Sequence, residues 1–95
     1  MKILIVEDDK HLNTAICDML GKIAETEAIY DGEEAMFAVE RNIYDLIVLD
    51  IMLPHVDGFT ILEKIRSIGT CGVLMLTAKD GIANKVKGLK LGADD

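Results

Sequence analysis

Acids stand at the ends of apolar runs in this chain, and that placement can do chemistry. The segment DLIVLDIMLPHVDGF (45–59) carries Leu46, Ile47, Val48 and Leu49 straight into a carboxylate, Asp50, and Pro54 and Gly58 follow it. Near the N-terminus KILIV (2–6) is followed by Asp8 and Asp9, and VLML (73–76) is followed by Thr77. An unpaired charge is costly to bury. Asp50 is therefore expected to stand open to water, a cation or a reactant. If the three runs are neighbouring parallel strands, their carboxyl ends bring two or three acids and a hydroxyl to one rim. Crowded carboxylates repel, and a hard divalent cation with oxygen ligands compensates them. Magnesium fits best, because it commonly takes one or two carboxylates and fills its remaining positions with water and phosphate oxygens. Each piece alone has a plainer reading: EDD before a helix caps it, and a lone acid after a strand is often a turn residue. The conjunction at three strand ends points to a site.

The elements that must position these residues are legible. KILIV (2–6), LIVL (46–49) and VLMLT (73–77) are continuous rather than alternating apolar runs, as expected of parallel strands covered on both faces. TEAIY (26–30) is more polar and edge-like. Between them, Leu12, Ala15, Ile16, Met19, Leu20 and Ile23 have the spacing of one helical face over 10–23. Asp31 and Glu34 form a capping box for a helix reaching about Asn42. Asp57 caps a third helix, with Ile61, Leu62, Ile65 and Ile68 inward and Gly69 as its stop. Asp80 opens a fourth, carrying Ile82, Ala83, Val86 and Leu89 and closed by Gly92. The alternation implies an α/β fold, a doubly wound parallel sheet with helices on both faces.

The chain has 95 residues, which is one small domain, and about half of them are apolar. A net charge of −7 opposes a direct nucleic-acid contact or an anionic membrane surface. The apolar start is too short for a signal peptide, and no stretch approaches a membrane span. Cys17 and Cys71 form no CxxC pair and read as reduced packing cysteines of a cytoplasmic protein. His11 and His55 read as solvated, and Tyr30, Tyr44, Phe37 and Phe59 as packing residues.

Taken together, IVEDD (5–9), LIVLDIMLPHVDGF (46–59), VLMLTAKD (73–80) and LGADD (91–95) resemble the receiver domain of two-component response regulators. The wording TAKD and DIMLP is most similar to receivers attached to winged-helix DNA-binding domains. The resemblance implies a flavodoxin-like receiver fold with strand order 2-1-3-4. It implies Asp50 as the phosphoacceptor, taking a phosphoryl group from a sensor histidine kinase and so controlling an output domain; it implies a phosphoacceptor domain rather than an enzyme. Asp9 and Asp50 would ligate Mg2+ directly, Asp8 would assist through water, and the backbone carbonyl of Met52 would complete the protein ligands. Thr77 would contact the phosphoryl group and act as a switch. Within residues 1–95 the family's fifth strand, its lysine-proline pair and its fifth helix have no counterpart, so a C-terminally incomplete receiver is expected. Lys79 is not the family's lysine. An uncovered fourth strand would then favour a homodimer or a segment-exchanged oligomer.

The competing readings are weaker. A flavodoxin-like nucleotide binder needs a Ser/Thr/Gly-rich phosphate loop where EDDK stands. A haloacid-dehalogenase-type phosphatase needs a second acid two residues after its nucleophile, where Met52 stands. A truncated, non-signalling fragment would keep the fold, with or without the metal site, but not phosphotransfer, and would act at most as an association module.

Overall fold

In the computed structural model, residues 1–76 are described. They form β1 (Lys2–Val6), α1 (Lys10–Leu20), β2 (Glu25–Ile29), α2 (Gly32–Glu40), β3 (Leu46–Asp50), α3 (Gly58–Ile68) and β4 (Gly72–Leu76). All strand pairs are parallel and the sheet order is β2-β1-β3-β4, as expected. The fourth helix, Thr77 and Lys79 lie outside the described residues. So does the segment after Leu76 on which the expected pairing edge depends.

β1, β3 and β4 are apolar along most of their length because both faces of the sheet are covered there, whereas β2 (ETEAI) is more polar and half-buried. Leu4, Val6, Ile47, Leu49, Val73 and Met75 point toward α2 and α3, where Ala35, Ala38, Val39, Ile61, Leu62 and Ile65 meet them. Ile3, Ile5 and Val48 point the other way, onto Ile16, Cys17 and Leu20 of α1. Fully burying each of the strand Val, Leu and Ile side chains is worth about 1.5–3 kcal/mol, which makes the two central strands, β1 and β3, the firmest part of the described sheet.

Helix starts follow the sequence closely. Asp31 accepts from the Glu34 N–H at 2.8 Å, and Asp57 accepts from the Phe59 N–H at 3.0 Å. Gly69 caps the end of α3. The inward face of α1 differs from the expected one. It is Asn13, Ile16, Cys17 and Leu20, whereas Ala15, Met19 and Ile23 are exposed and the helix stops at Leu20. A buried polar residue at position 13 rotates the stripe, and apolar spacing alone did not show it. Of the four aromatics expected to pack, Tyr44 is buried, and Tyr30, Phe37 and Phe59 are exposed.

The connection from β3 to α3 folds back tightly on itself. His55 adopts φ 68°, left-handed backbone that is uncommon outside glycine. The Gly58 N–H points back at the Ile51 carbonyl, 3.4 Å away. A Cβ on Gly58 would lie 2.4 Å from the Ile51 Cα and 2.8 Å from the Asp50 carbonyl oxygen, both of them backbone atoms. No side chain fits there unless the loop moves. Gly58→Ala should therefore destabilise the fold by about 1–3 kcal/mol, the usual range for forcing extra volume into a packed site. Chemical denaturation would measure it, and an unchanged midpoint would show that the loop yields freely.

Candidate functional site

β1 and β3 are neighbours, with Val6 opposite Leu49, so the residues that follow them meet at the carboxyl edge of the sheet. This is the point where the strand order reverses, the usual ligand crevice of a doubly wound sheet. Carboxylate oxygens of Glu7, Asp8 and Asp50 lie within 4.8 Å of one another there. Among the described residues no lysine or arginine forms an ion pair with these three acids.

Each acid is held differently. Asp50 ends β3 and is 2% exposed, which corrects the expectation of an open carboxylate. Its Oδ1 accepts the Met52 N–H at 2.9 Å, a bond that closes the first turn of the loop and sets the rotation of the carboxylate. Asp8 is exposed and lines a cleft of about 650 Å³ whose far wall is the loop from Ile51 to His55 together with Asp57. Met52 stands on that wall, with its side chain exposed.

Glu7 was not among the residues singled out from sequence, and it is the most constrained of the three. It is 2% exposed. Its Oε2 accepts the Asp9 N–H at 3.0 Å, while its Oε1 is buried with no hydrogen-bond partner. Asp9, expected as a direct metal ligand, is not in the cluster. Its Oδ1 accepts the N–H groups of His11 and Leu12 at 3.0 and 3.1 Å as the N-cap of α1. The paired acids of the site are thus Glu7 and Asp8, one residue earlier than the expected Asp8 and Asp9. The shift follows from helix geometry, because the acid immediately before α1 is used by the helix's own unpaired N–H groups. Glu7 was legible in principle, since it is the residue directly after the strand. Thr77 lies outside the described residues.

Two like charges about 4 Å apart repel by roughly 4 kcal/mol at an effective dielectric constant near 20. The group relieves that repulsion by taking up a proton or a cation. Burial pushes Glu7 up to about 8, the Asp9 N–H opposes that rise, and the neighbouring Asp50 charge adds to it. The orphaned Oε1, the oxygen-only donors and their spacing suit a hard divalent cation such as Mg2+.

Residues 3–95 match the family described as response regulator receiver domain. The chain is 45% identical over 96 residues to the transcriptional regulatory protein CiaR of Streptococcus pneumoniae, covering 100% of this chain and 43% of that protein. It is 44% identical over 99 residues to the transcriptional activator protein IrlR of Burkholderia pseudomallei, covering 42% of that protein. The chain therefore spans less than half the length of these curated relatives. Among solved structures, the receiver domain of Francisella response regulator 1452 superposes with a TM-score of 0.80 at 39% identity, covering 99% of this chain and 79% of that one. The BeF3-activated N-terminal receiver domain of Klebsiella pneumoniae RstA gives 0.80 at 35% identity, covering 98% of this chain and 80% of that one.

Glu7 yields a pH prediction whose sign is fixed. Its pKa is raised from 4.5 in the unfolded chain to about 8 in the folded one, so the metal-free fold holds a proton that the unfolded chain releases. That stabilisation is complete below pH 4.5 and is lost as pH rises through about 8. Relative to Glu7→Gln, which keeps the neutral shape, the metal-free chain should lose stability between pH 5 and 8. Millimolar Mg2+ should offset the loss. Parallel stability profiles for the two proteins would refute the proton assignment.

Proposed function

The chain belongs to the response regulator receiver domain family, and from that premise we propose that Asp50 is its phosphoacceptor, charged by a sensor histidine kinase with Mg2+ as cofactor. The observation that carries the reading is the convergence of Glu7, Asp8 and Asp50 beside an open cleft at the sheet's carboxyl edge.

Asp8 and Asp50 would hold the cation directly, Glu7 would assist from the buried side, and the Met52 carbonyl would add a neutral oxygen. When bound, Mg2+ neutralises charge on the incoming phosphoryl oxygens and on the attacking carboxylate. The chain's own residues do the rest. A carboxylate needs no general base to act as nucleophile. The Met52 N–H holds Asp50 in one rotamer, so that its reacting oxygen is presented in a fixed direction. The O–P bond forms as the P–N bond of a phosphohistidine breaks, and the electron pair leaves with the imidazole nitrogen. Thr77 would contact the transferred phosphoryl group and report its presence to an output domain. Because the curated relatives are transcriptional regulators more than twice as long as the matched segment, that output is proposed to be DNA-binding.

Acetyl phosphate with Mg2+ should place one phosphoryl group on the chain, at Asp50, as read by intact-mass and peptide mass spectrometry. Asp50→Asn should abolish the label entirely, and chelation of the metal should reduce it by tenfold or more, by an order-of-magnitude argument from lost transition-state charge stabilisation. Undiminished label on Asp50→Asn would assign the nucleophile elsewhere.

A further inference from the structure

The middle of α1 holds a residue that helix propensity and burial statistics both disfavour there. Asn13 is 0% exposed and is the one fully buried residue of that helix. A buried carboxamide must find partners, and those of Asn13 converge on the acidic turn. Its Nδ2 donates toward the carbonyls of Glu7 at 3.0 Å, Ile29 at 3.1 Å and Ile5 at 3.3 Å. Two N–H bonds serve three acceptors, so one of them is shared. Its Oδ1 accepts the Cys17 thiol at 3.2 Å, one helical turn later. That contact fixes which way round the carboxamide sits. Burial raises the Cys17 pKa, which keeps the sulfur protonated and able to donate.

The consequence falls on Glu7. Its own N–H donates to the Ile29 carbonyl at 3.1 Å, and its carbonyl accepts from Asn13. Both peptide planes flanking the Glu7 Cα are therefore held, one by β2 and one by α1. With both planes fixed, the direction of the Glu7 side chain is fixed too. The second plane also contains the nitrogen of Asp8, so the starting position of that residue is set by the same bond. We propose that Asn13 is a positioning residue for the acidic site. Its carboxamide sets where Glu7 and Asp8 point, and through them how tightly the site holds a divalent cation. The inference rests on the cation reading given above. The plainer alternative is that Asn13 merely satisfies three carbonyls and stabilises the fold.

The affinity of the whole chain for Mg2+, followed by amide shifts of residues 7–9 and 50–53, separates the two. Asn13→Ala and Asn13→Ser should both weaken Mg2+ binding by about tenfold or more, the range seen when groups orienting metal ligands are removed. Ile16→Ala, which loosens the same helix face without touching the turn, should cost stability and leave Mg2+ affinity unchanged. Cys17→Ala should leave most of the affinity, since the donors of Asn13 survive. In the unmodified chain the Asn13 side-chain N–H resonances should move with Mg2+ along the same isotherm as the Glu7 amide, a measurement that needs no variant to fold. If the unmodified chain does not bind Mg2+ at all, the cation reading fails. If it binds and the Asn13 variants bind equally well, or Ile16→Ala weakens binding as much, or the carboxamide ignores saturating Mg2+, the positioning role is overturned and the cation reading stands.

Discussion

The parallel pairing of β1 with β3 is the constraint on which the rest depends. Val6 lies opposite Leu49, so the chain leaves both strands at the same level and in the same direction. Glu7 and Asp8 leave one strand, and Asp50 ends the other. A register slip of one residue would turn every side chain of a strand to the opposite face, and burial on both faces forbids it. Ile3, Leu4, Ile5 and Val6 are all fully buried, so the position of the acids is guaranteed by apolar packing several ångströms away from them. Charge repulsion at the edge is tolerable because it opposes two well-packed strands rather than a loop.

Two kinds of support meet at this edge. On the β1 side the acidic turn is held firmly: Asn13 grips the Glu7 carbonyl, β2 grips its N–H, and Asp9 caps the helix that carries Asn13. On the β3 side the loop is pinned at its ends and open between them. Gly58 packs against Ile51 and the Asp50 carbonyl at one end, and the Cβ of Val56 sits where a side chain on Gly32 would be. Between these anchors Met52 and His55 face solvent along the cleft. On the proposed reading, the rigid side would set the cation ligands and the open side would admit the phosphoryl donor.

Much of this was legible in the sequence because it rests on local rules. Continuous apolar runs identified β1, β3 and β4, Asp31 and Asp57 identified helix starts, and the polar run at 26–30 identified β2 as an edge strand within one residue. The strand order came from the resemblance to a family and not from periodicity. What escaped were effects of tertiary context. Three consecutive acids look alike in a sequence, and only the helix axis decides that Asp9 caps while Glu7 turns inward. Asn13 reads as a surface residue until its carbonyl partners on two strands are known. Met19 and Ile23 read as core until the stripe is seen to centre on Asn13.

Glu7 shows what the site costs the fold and why the cost is useful. A carboxylate with one oxygen buried and unpartnered destabilises the native state unless it carries a proton or meets a cation. A protonated Glu7 would be a poor ligand, so on the proposed cation reading proton and cation would compete for the same oxygens. Any cation bound only by the native chain adds stability in proportion to RT ln(1 + [L]/Kd), roughly 1.4 kcal/mol at ten times Kd. The acidic edge is thus a place where folding stability, pH and occupancy are linked through one side chain. Replacing Glu7 by an apolar residue of similar size would remove the penalty and, with it, the linkage, since a site satisfied without a ligand has no energetic reason to respond to one.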